Sequence, residues 1–280
     1  MNACFRANYA ADGAAIHIAI VGAGATGVEL AAELHNTTRV LATYGLAHFD
    51  PGRQIRISLV EAGPRILPGL PDYVADETLK VLQGLGVEVH TAQRVVGVGA
   101  SSVKTAGGRE IPGDFIVWAA GIRCADVLAT LGLETDRIGR LLVKPTLETT
   151  RDPAIYALGD CAACPWLEGR QVPPRAQAAH QQASHLLALL KARVAGRKAE
   201  RAFRYRDFGS LISLGHYDTV GQLMGFVGGG RMRVEGLLAK LFYISLYRMH
   251  AWALHGFWRM ALDTLARMIK SQTEPKVKLH

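Results

Sequence analysis

Residues 16–34 read IHIAIVGAGATGVELAAEL, and the fold turns on them. Ile16–Val21 carries no Asp, Glu, Lys or Arg and is rich in β-branched residues, the pattern of a strand buried on both faces. Gly22, Gly24 and Gly27 then space out a G-x-G-x-x-G turn, and a helix runs from about Thr26 to His35 or beyond. Each glycine answers a different steric demand. The first makes the tight turn after the strand, the second lets the backbone approach a pyrophosphate, and the third lets helix pack on strand. The helix N-terminus presents unpaired N–H groups and partial positive charge to the phosphates. Such glycines also occur in strand–helix turns that bind nothing. Here a strand precedes them, a helix follows, and the next strand closes on an acid, which is the context of a dinucleotide site.

That next strand, QIRISLVEAG, ends at Glu61. A carboxylate there accepts hydrogen bonds from adenosine ribose hydroxyls and repels a 2′-phosphate, favouring NADH over NADPH; Arg65, close by, argues the other way. The interval from Gly27 to Glu61 exceeds the usual spacing of about 20 residues. The excess, HNTTRVLATYGLAHFDPGRQ, reads as a longer helix end and loop. VADETLKVLQGLG is a second helix, stopped by glycine. Short strands punctuated by Gly-Gly and Pro-Gly turns follow, and FIVWAAG is another buried strand. The order β-α-β-α-β-β-β-β over about residues 14–123 predicts a compact nucleotide domain of the parallel-sheet type.

After Cys124 the texture changes. LLVKPTLETTRDPAIYALGDCA carries two strand-like pieces around a turn at Arg151-Asp152-Pro153. RAQAAHQQASHLLALLKARVAG is a long alanine-rich helix closed by Gly196, and GSLISLGHYDTVGQLMGFVGG reads as strands. A block of helix from about Val234 to Ile269 precedes the polar end KSQTEPKVKLH.

The chain has 280 residues, 49% hydrophobic and 20% charged, enough for one large or two medium folded domains. Its net charge of +8 is uneven: from Arg231 onward nine basic residues face three acids. A basic tail serves nucleic acid or an anionic membrane surface. This one is apolar as well. Leu237, Leu241, Ile244, Tyr247, Leu238 and Phe242 fall on one helical stripe, with Lys240, Arg248, Arg259, Arg267 and Lys270 punctuating the block and Trp252, Phe257 and Trp258 between them. That pattern suits a membrane surface; an ordinary packed helix or a dimer contact is the plainer alternative, and nucleic acid is disfavoured. No window reaches the roughly 18 uncharged apolar residues needed to span a bilayer. The N-terminal residues MNACFRANYAADGAA lack a basic start followed by an apolar run, so no secretory signal is expected. Four cysteines are too few for a disulfide scaffold. Cys161-Ala-Ala-Cys164 has the spacing of a redox dithiol or half a zinc site, but no second pair completes a metal site. Two inert cysteines are expected.

GAGATGVELAAEL, VEAGPRILP, VWAAGI, IYALGDCA, AQAAHQQ and the C-terminal amphipathic block, in that order, carry a resemblance. From about Ile16 to Ile269 the chain resembles the type II NADH:quinone oxidoreductases, single-subunit respiratory NADH dehydrogenases of the two-dinucleotide flavoprotein superfamily. The resemblance implies an α/β, Rossmann-like two-dinucleotide-binding flavoprotein architecture with C-terminal amphipathic helices. It implies NADH and FAD as cofactors, hydride transfer from NADH to flavin, and electrons passed on to a membrane quinone without proton pumping. It also implies a peripheral position on the cytoplasmic face of the inner membrane.

By the same resemblance Gly22, Gly24, Gly27 and Glu61 hold NADH, while Ala119, Ala120 and Gly121 let the nicotinamide half lie close to the flavin. Asp160 matches the aspartate that binds the FAD ribityl chain. Ala176, Gln177 and Gln181 match the motif beside the flavin ring and quinone channel. Glu29 matches a glutamate near nicotinamide and quinone, where a carboxylate with a raised pKa influences proton delivery; a favourable acid in the first turn of a helix is the competing account.

The sequence departs from these relatives at the front. They begin with a G-x-G-x-x-G of their own for the ADP part of FAD, whereas MNACFRANYAADGAA resembles only a helix and linker. The expected organisation is therefore N-terminally incomplete: a 1–13 remnant, a 14–123 NADH-binding domain, the 124–205 later part of an FAD domain, and a 206–280 membrane-association region. Three accounts stay open: a truncated remnant, a fragment complemented by another chain, and an incomplete gene reading. A homodimer is compatible with each. The rival functions are a non-catalytic NADH-binding, membrane-associated module without flavin and, behind it, a disulfide reductase.

Overall fold

A computed structural model describes residues 15–43, 49–197, 201–214, 219–224, 231–235, 244–245, 248–249 and 251–273. They fall into two compact units, one of the residues up to Ala120 together with those from Gly209 on, the other Gly121–Phe208. The expected 1–13 linker, Lys240, Lys276, Lys278 and the stripe residues Leu237, Leu238, Leu241, Phe242 and Tyr247 lie outside the described residues.

The first unit is built on a four-stranded parallel sheet of β1 (Ile16–Val21), β2 (Ile55–Val60), β3 (Glu88–His90) and β7 (Phe115–Trp118), in the order β3-β2-β1-β7. Central β1 pairs in register with β2, Ile16 beside Ile55 through Val21 beside Val60, and with β7, Val21 beside Trp118. Successive side chains of a strand point to opposite faces. On one face Ile18 and Ile20 join Ile57 and Leu59 against helix α1 (Ala25–Ala42) and helix α2 (Asp72–Gly84), through Val28, Ala31, Ala32, Val74 and Leu82. On the other, Ala19, Val21 and Val60 meet Val103 and Ile111. Those two come from an antiparallel sheet of β4 (Val95–Val98), β5 (Ser102–Thr105) and β6 (Glu110–Pro112). Both faces of β1 are covered, which is why its sequence is apolar without alternation. Ile20 and Leu59 are fully buried, and each contributes about 1.5–3 kcal/mol of burial.

Two details depart from the sequence expectation. Five strands rather than four follow α2, because the stretch also breaks between His90 and Val95 and at a turn closed by Gly99 N–H donating to the Ser102 carbonyl. The region from Val234, expected as helix, begins in strand: β10 (Gly209–Ser213), β11 (Thr219–Met224) and β12 (Arg231–Glu235) form an antiparallel sheet, Val234 pairing with Gly221. Cross-strand pairing overrides local helix propensity there. Ile212 and Leu214 complete the core beneath α1 and α2.

The second unit holds a two-stranded parallel pair, β8 (Leu141–Leu142) with β9 (Ala162–Ala163), and helix α3 (Ala176–Val194). Ala178, Gln182, Leu186 and Leu189 form the buried stripe of α3 at helical spacing. They pack on a core including Leu141, Leu147, Ala157, Cys164, Phe203 and Tyr205. Helix α4 (Phe257–Thr273) runs past the expected end at Ile269 into the polar segment.

Candidate functional site

The three fingerprint glycines are distinguished by what a side chain would meet. A Cβ on Gly27 would lie 1.9 Å from the Gly22 carbonyl oxygen, so this glycine is the contact between helix and turn. A Cβ on Gly22 would lie 2.7 Å from the Ala120 backbone, and its φ of +105° lies in a region that L side chains rarely adopt. Gly24 is different: nothing of the protein stands within 4 Å of its absent Cβ. Packing explains the outer two glycines and leaves the middle one facing open space. Gly24 is also the N-cap of α1, and no side chain caps the helix. Its first N–H groups therefore point outward with the positive end of the helix dipole.

The turn is held rigidly from the loop after β2. Gly22 N–H donates to the Val60 carbonyl at 2.7 Å, Ala23 N–H to Glu61 Oε2 at 2.8 Å, and Leu67 N–H to the Ala23 carbonyl at 2.8 Å. The other carboxylate oxygen of Glu61 accepts Gly63 N–H at 2.7 Å. Leu67 adopts a φ of +49° while buried at 2% exposure; that conformation costs roughly 1–2 kcal/mol in an L-residue, which its burial offsets. Glu61 thus tethers both the glycine turn and its own loop, and each oxygen keeps a lone pair for a further donor. Arg65 turns away from it. Its guanidinium reaches the Pro68 and Leu70 carbonyls at 3.1 and 2.9 Å and Asp72 at 3.4 Å. This removes the sequence argument for a 2′-phosphate partner.

Ala119 N–H donates to the Val21 carbonyl at 2.8 Å, which brings the end of β7 beside the turn, and Ala120 backs Gly22. Glu29 is half-buried. Because α1 starts at Ala25, one residue earlier than expected, no acid lies in its first turn, and the helix-dipole account of Glu29 loses its basis.

In the second unit, Gly121 has a φ of +84° with no neighbour within 4 Å of an added Cβ. Gly159 has a φ of +71° and opens a single 3₁₀ turn, Gly159–Cys161, that presents Asp160 exposed. The buried Gln182 fixes this turn, its Oε1 accepting Gly159 N–H at 2.7 Å. Sequence reasoning singled out Gln177 and Gln181 and passed over Gln182, although its position on the apolar stripe of α3 was the available signal. Ala176 is the first residue of α3, whose N-terminus has no side-chain cap. Gln177 and Gln181 both engage the segment 206–208. Gln177 accepts Phe208 N–H at 3.1 Å and donates to Asp207 at 3.4 Å. Gln181 exchanges two bonds with the Arg206 backbone at 2.8 and 3.0 Å, as a neighbouring strand would.

The C-x-x-C cysteines stay thiols, and Cys124, Cys161 and Cys164 are free. Burial pushes the Cys164 thiol up to about 11, against a smaller opposing effect of its hydrogen bond with Gln182. Cys161 Sγ donates to the Leu158 carbonyl at 3.2 Å. In the C-terminal region Trp258, Leu262, Leu265 and Ile269 recur at helical spacing along α4, and all are exposed. Arg248 and Arg267 hold Asp263 between them at 2.7 and 2.9 Å. No helix among the described residues is long and apolar enough to cross a membrane.

Residues 4–183 match the sequence profile of the family described as pyridine nucleotide-disulphide oxidoreductase. The chain is 41% identical over 270 residues to the type II NADH:quinone oxidoreductase of Haemophilus influenzae, covering 95% of this chain and 60% of the relative. It is 32% identical over 238 residues to the corresponding protein of Mycobacterium tuberculosis, covering 81% of this chain and 49% of that one. The chain therefore spans about half to three-fifths of the length of these relatives. Among solved structures it superposes on NDH2 from Plasmodium falciparum in complex with NADH, with a TM-score of 0.76 at 19% identity, covering 95% of this chain and 67% of that one.

Proposed function

Since the chain belongs to the pyridine nucleotide-disulphide oxidoreductase family, we propose that it binds NADH at the Gly22–Gly27 turn and forms the NADH-oxidising part of a type II NADH:quinone oxidoreductase. The observation that carries this reading is Gly24: of the three glycines, it alone has no protein neighbour to require it. A pyrophosphate seated there would meet the uncapped N-terminus of α1. The Glu61 lone pairs would take the ribose hydroxyls, and the small Ala120 and Gly121 would leave room for the nicotinamide. NADH fits better than NADPH because Arg65 is bound into its own loop.

For FAD, the fit rests on the Gly159–Cys161 turn. Asp160 is an exposed carboxylate with no hydrogen bond to its oxygens among the described residues, a suitable acceptor for the hydroxyls of a ribityl chain. The uncapped start of α3 at Ala176 would stabilise negative charge on a ring beside it. Bound flavin supplies acceptance of a hydride and delivery of two electrons to quinone. Gln177 and Gln181 would orient a quinone carbonyl by hydrogen bonds that add no charge. In the first unit, the Glu29 carboxylate would serve as a proton carrier. The sequence has no second strand–GxGxxG–helix for the adenine end of FAD.

The exposed stripe of α4, flanked by Arg259, would lie on an anionic membrane surface at its cytoplasmic face, where quinone is met. Purified protein incubated with FAD, NADH and a short-chain quinone tests the whole reading. Loss of NADH absorbance at a rate that falls in Asp160→Ala supports it. Tight NADH binding with no flavin retained and no turnover leaves the NADH-binding module instead, a reading favoured by the self-contained core of the first unit.

A further inference from the structure

A cavity in the second unit lies on the side of α3 away from the Gly159–Cys161 turn, and its wall is basic. It encloses about 700 Å³ between one face of α3, through His180, Gln181, Ser184 and His185, and the extended segment Arg201, Ala202, Phe203 and Arg204. Residues 180, 181, 184 and 185 share one helix face by their spacing. No carboxylate lines it among the described residues. Neither Arg201 nor Arg204 has an ion pair or hydrogen bond recorded among the described residues, whereas Arg140, Arg175 and Arg193 of the same unit are all paired with acids. The fixed wall is well anchored: Phe203 is buried, its N–H donates to the Pro145 carbonyl at 2.7 Å, and its ring meets His185 edge-on at 5.6 Å. The His185 Nε2 is buried with no partner, an unmet hydrogen-bonding valence at that wall.

From this geometry we propose that the cavity is a binding site for a phosphate ester of nucleotide size, separate from the Gly22–Gly27 turn. Two guanidinium groups offer forked, charge-assisted donors that match phosphate oxygens, and the Ser184 hydroxyl adds a further donor. A cation is excluded by the sign of the wall. The volume lies within the roughly 300–1,000 Å³ of small-molecule sites, which is more than inorganic phosphate needs. A soluble nucleotide and a phospholipid headgroup share this chemistry.

The test uses the full chain in three forms: wild type, Gly24→Val, and Arg201→Ala with Arg204→Ala. Binding of ADP, inorganic pyrophosphate and vesicles containing an anionic phospholipid is measured for each by titration calorimetry or sedimentation, with thermal melting as the check on folding. Both arginines are exposed, so the double variant should melt like wild type. The proposal expects a binding event that survives Gly24→Val and weakens at least tenfold in the double arginine variant. ADP and pyrophosphate responding identifies a soluble nucleotide, and only vesicles responding identifies a headgroup. Binding of all three probes unchanged by the arginine substitutions, or no binding by folded Gly24→Val protein, overturns it. Because Gly24→Val removes the proposed NADH site, failure here is distinguishable from failure there.

Discussion

The Glu61 carboxylate accepts the backbone N–H of Ala23 at 2.8 Å, across an interval of 38 residues. The acid closing β2 therefore shapes the glycine turn before any ligand arrives. Glu61→Ala leaves the Ala23 and Gly63 N–H groups without their acceptor, at a cost of about 1–3 kcal/mol each if they are left dry. The expected outcome is a lowered melting temperature together with a weaker NADH affinity. Glu61→Gln keeps one acceptor oxygen and should fall between. Equal NADH affinity in all three proteins would show that Glu61 serves the fold alone.

How much of this was legible in the sequence differs by element. Ile16–Val21 and the glycines after it were readable because strand burial and turn sterics leave marks within a dozen residues. The grip of Glu61 on Ala23 and the commitment of Arg65 to Pro68 and Leu70 were not, since one-dimensional spacing records neither partner nor direction. β12 was missed because its pairing with β11 is set by a neighbour strand rather than by local propensity. Gln182 sat inside a quoted motif and on the apolar stripe of α3, but its partner Gly159, 23 residues earlier, left no mark in the spacing.

Acid should destabilise the second unit. Burial alone would raise the Asp136 carboxyl, but hydrogen bonds from the Arg140 backbone and guanidinium and from Ile138 N–H outweigh it and hold the pKa below the ordinary 3.8. Burial likewise opposes, and Arg193 and Thr146 outweigh, so that Glu148 stays below its ordinary 4.5. A depressed folded-state pKa stabilises above the unfolded value, and that contribution disappears as pH falls through the folded one. Melting temperature should be flat near neutrality and drop steeply below the ordinary carboxylate range. Asp136→Asn combined with Glu148→Gln should be less stable at pH 7 and show a shallower acid limb; an acid limb as steep as the parent's would assign it to other groups.

Thiol chemistry offers a separate check. With its pKa pushed up to about 11, Cys164 holds on the order of one part in a thousand as thiolate at pH 8, and the thiolate is the reactive form. Native protein should leave Cys164 unmodified by iodoacetamide while the half-buried Cys161 reacts slowly. Cys161→Ser with NADH oxidation retained would dispose of a dithiol mechanism, whereas complete loss of turnover in a folded variant would revive it.

Trp258 is 78% exposed and Leu262 66% exposed on one stripe of α4. Trp258→Glu and Leu262→Glu should weaken co-sedimentation with anionic vesicles while NADH affinity stays within about twofold, because neither side chain is part of a core whose loss would cost more than about 0.5 kcal/mol. Undiminished vesicle binding by both variants would move the membrane contact elsewhere.

The fingerprint glycines separate folding from binding. Gly27→Ala forces a Cβ within 1.9 Å of the Gly22 carbonyl oxygen and should cost more than about 4 kcal/mol. Gly24→Val, built on an extended N-cap with φ −72° and ψ −176° and open space beyond, should cost about 1 kcal/mol or less. The decisive measurement is NADH titration of wild type and Gly24→Val, followed by the fluorescence of Trp118, which β-pairing places beside Val21, and by thermal melting. Saturable quenching and a raised melting temperature in wild type, both absent from an equally folded Gly24→Val, are the expected result. A wild type that stays folded yet unresponsive to NADH, or a valine variant that responds just as well, would contradict it.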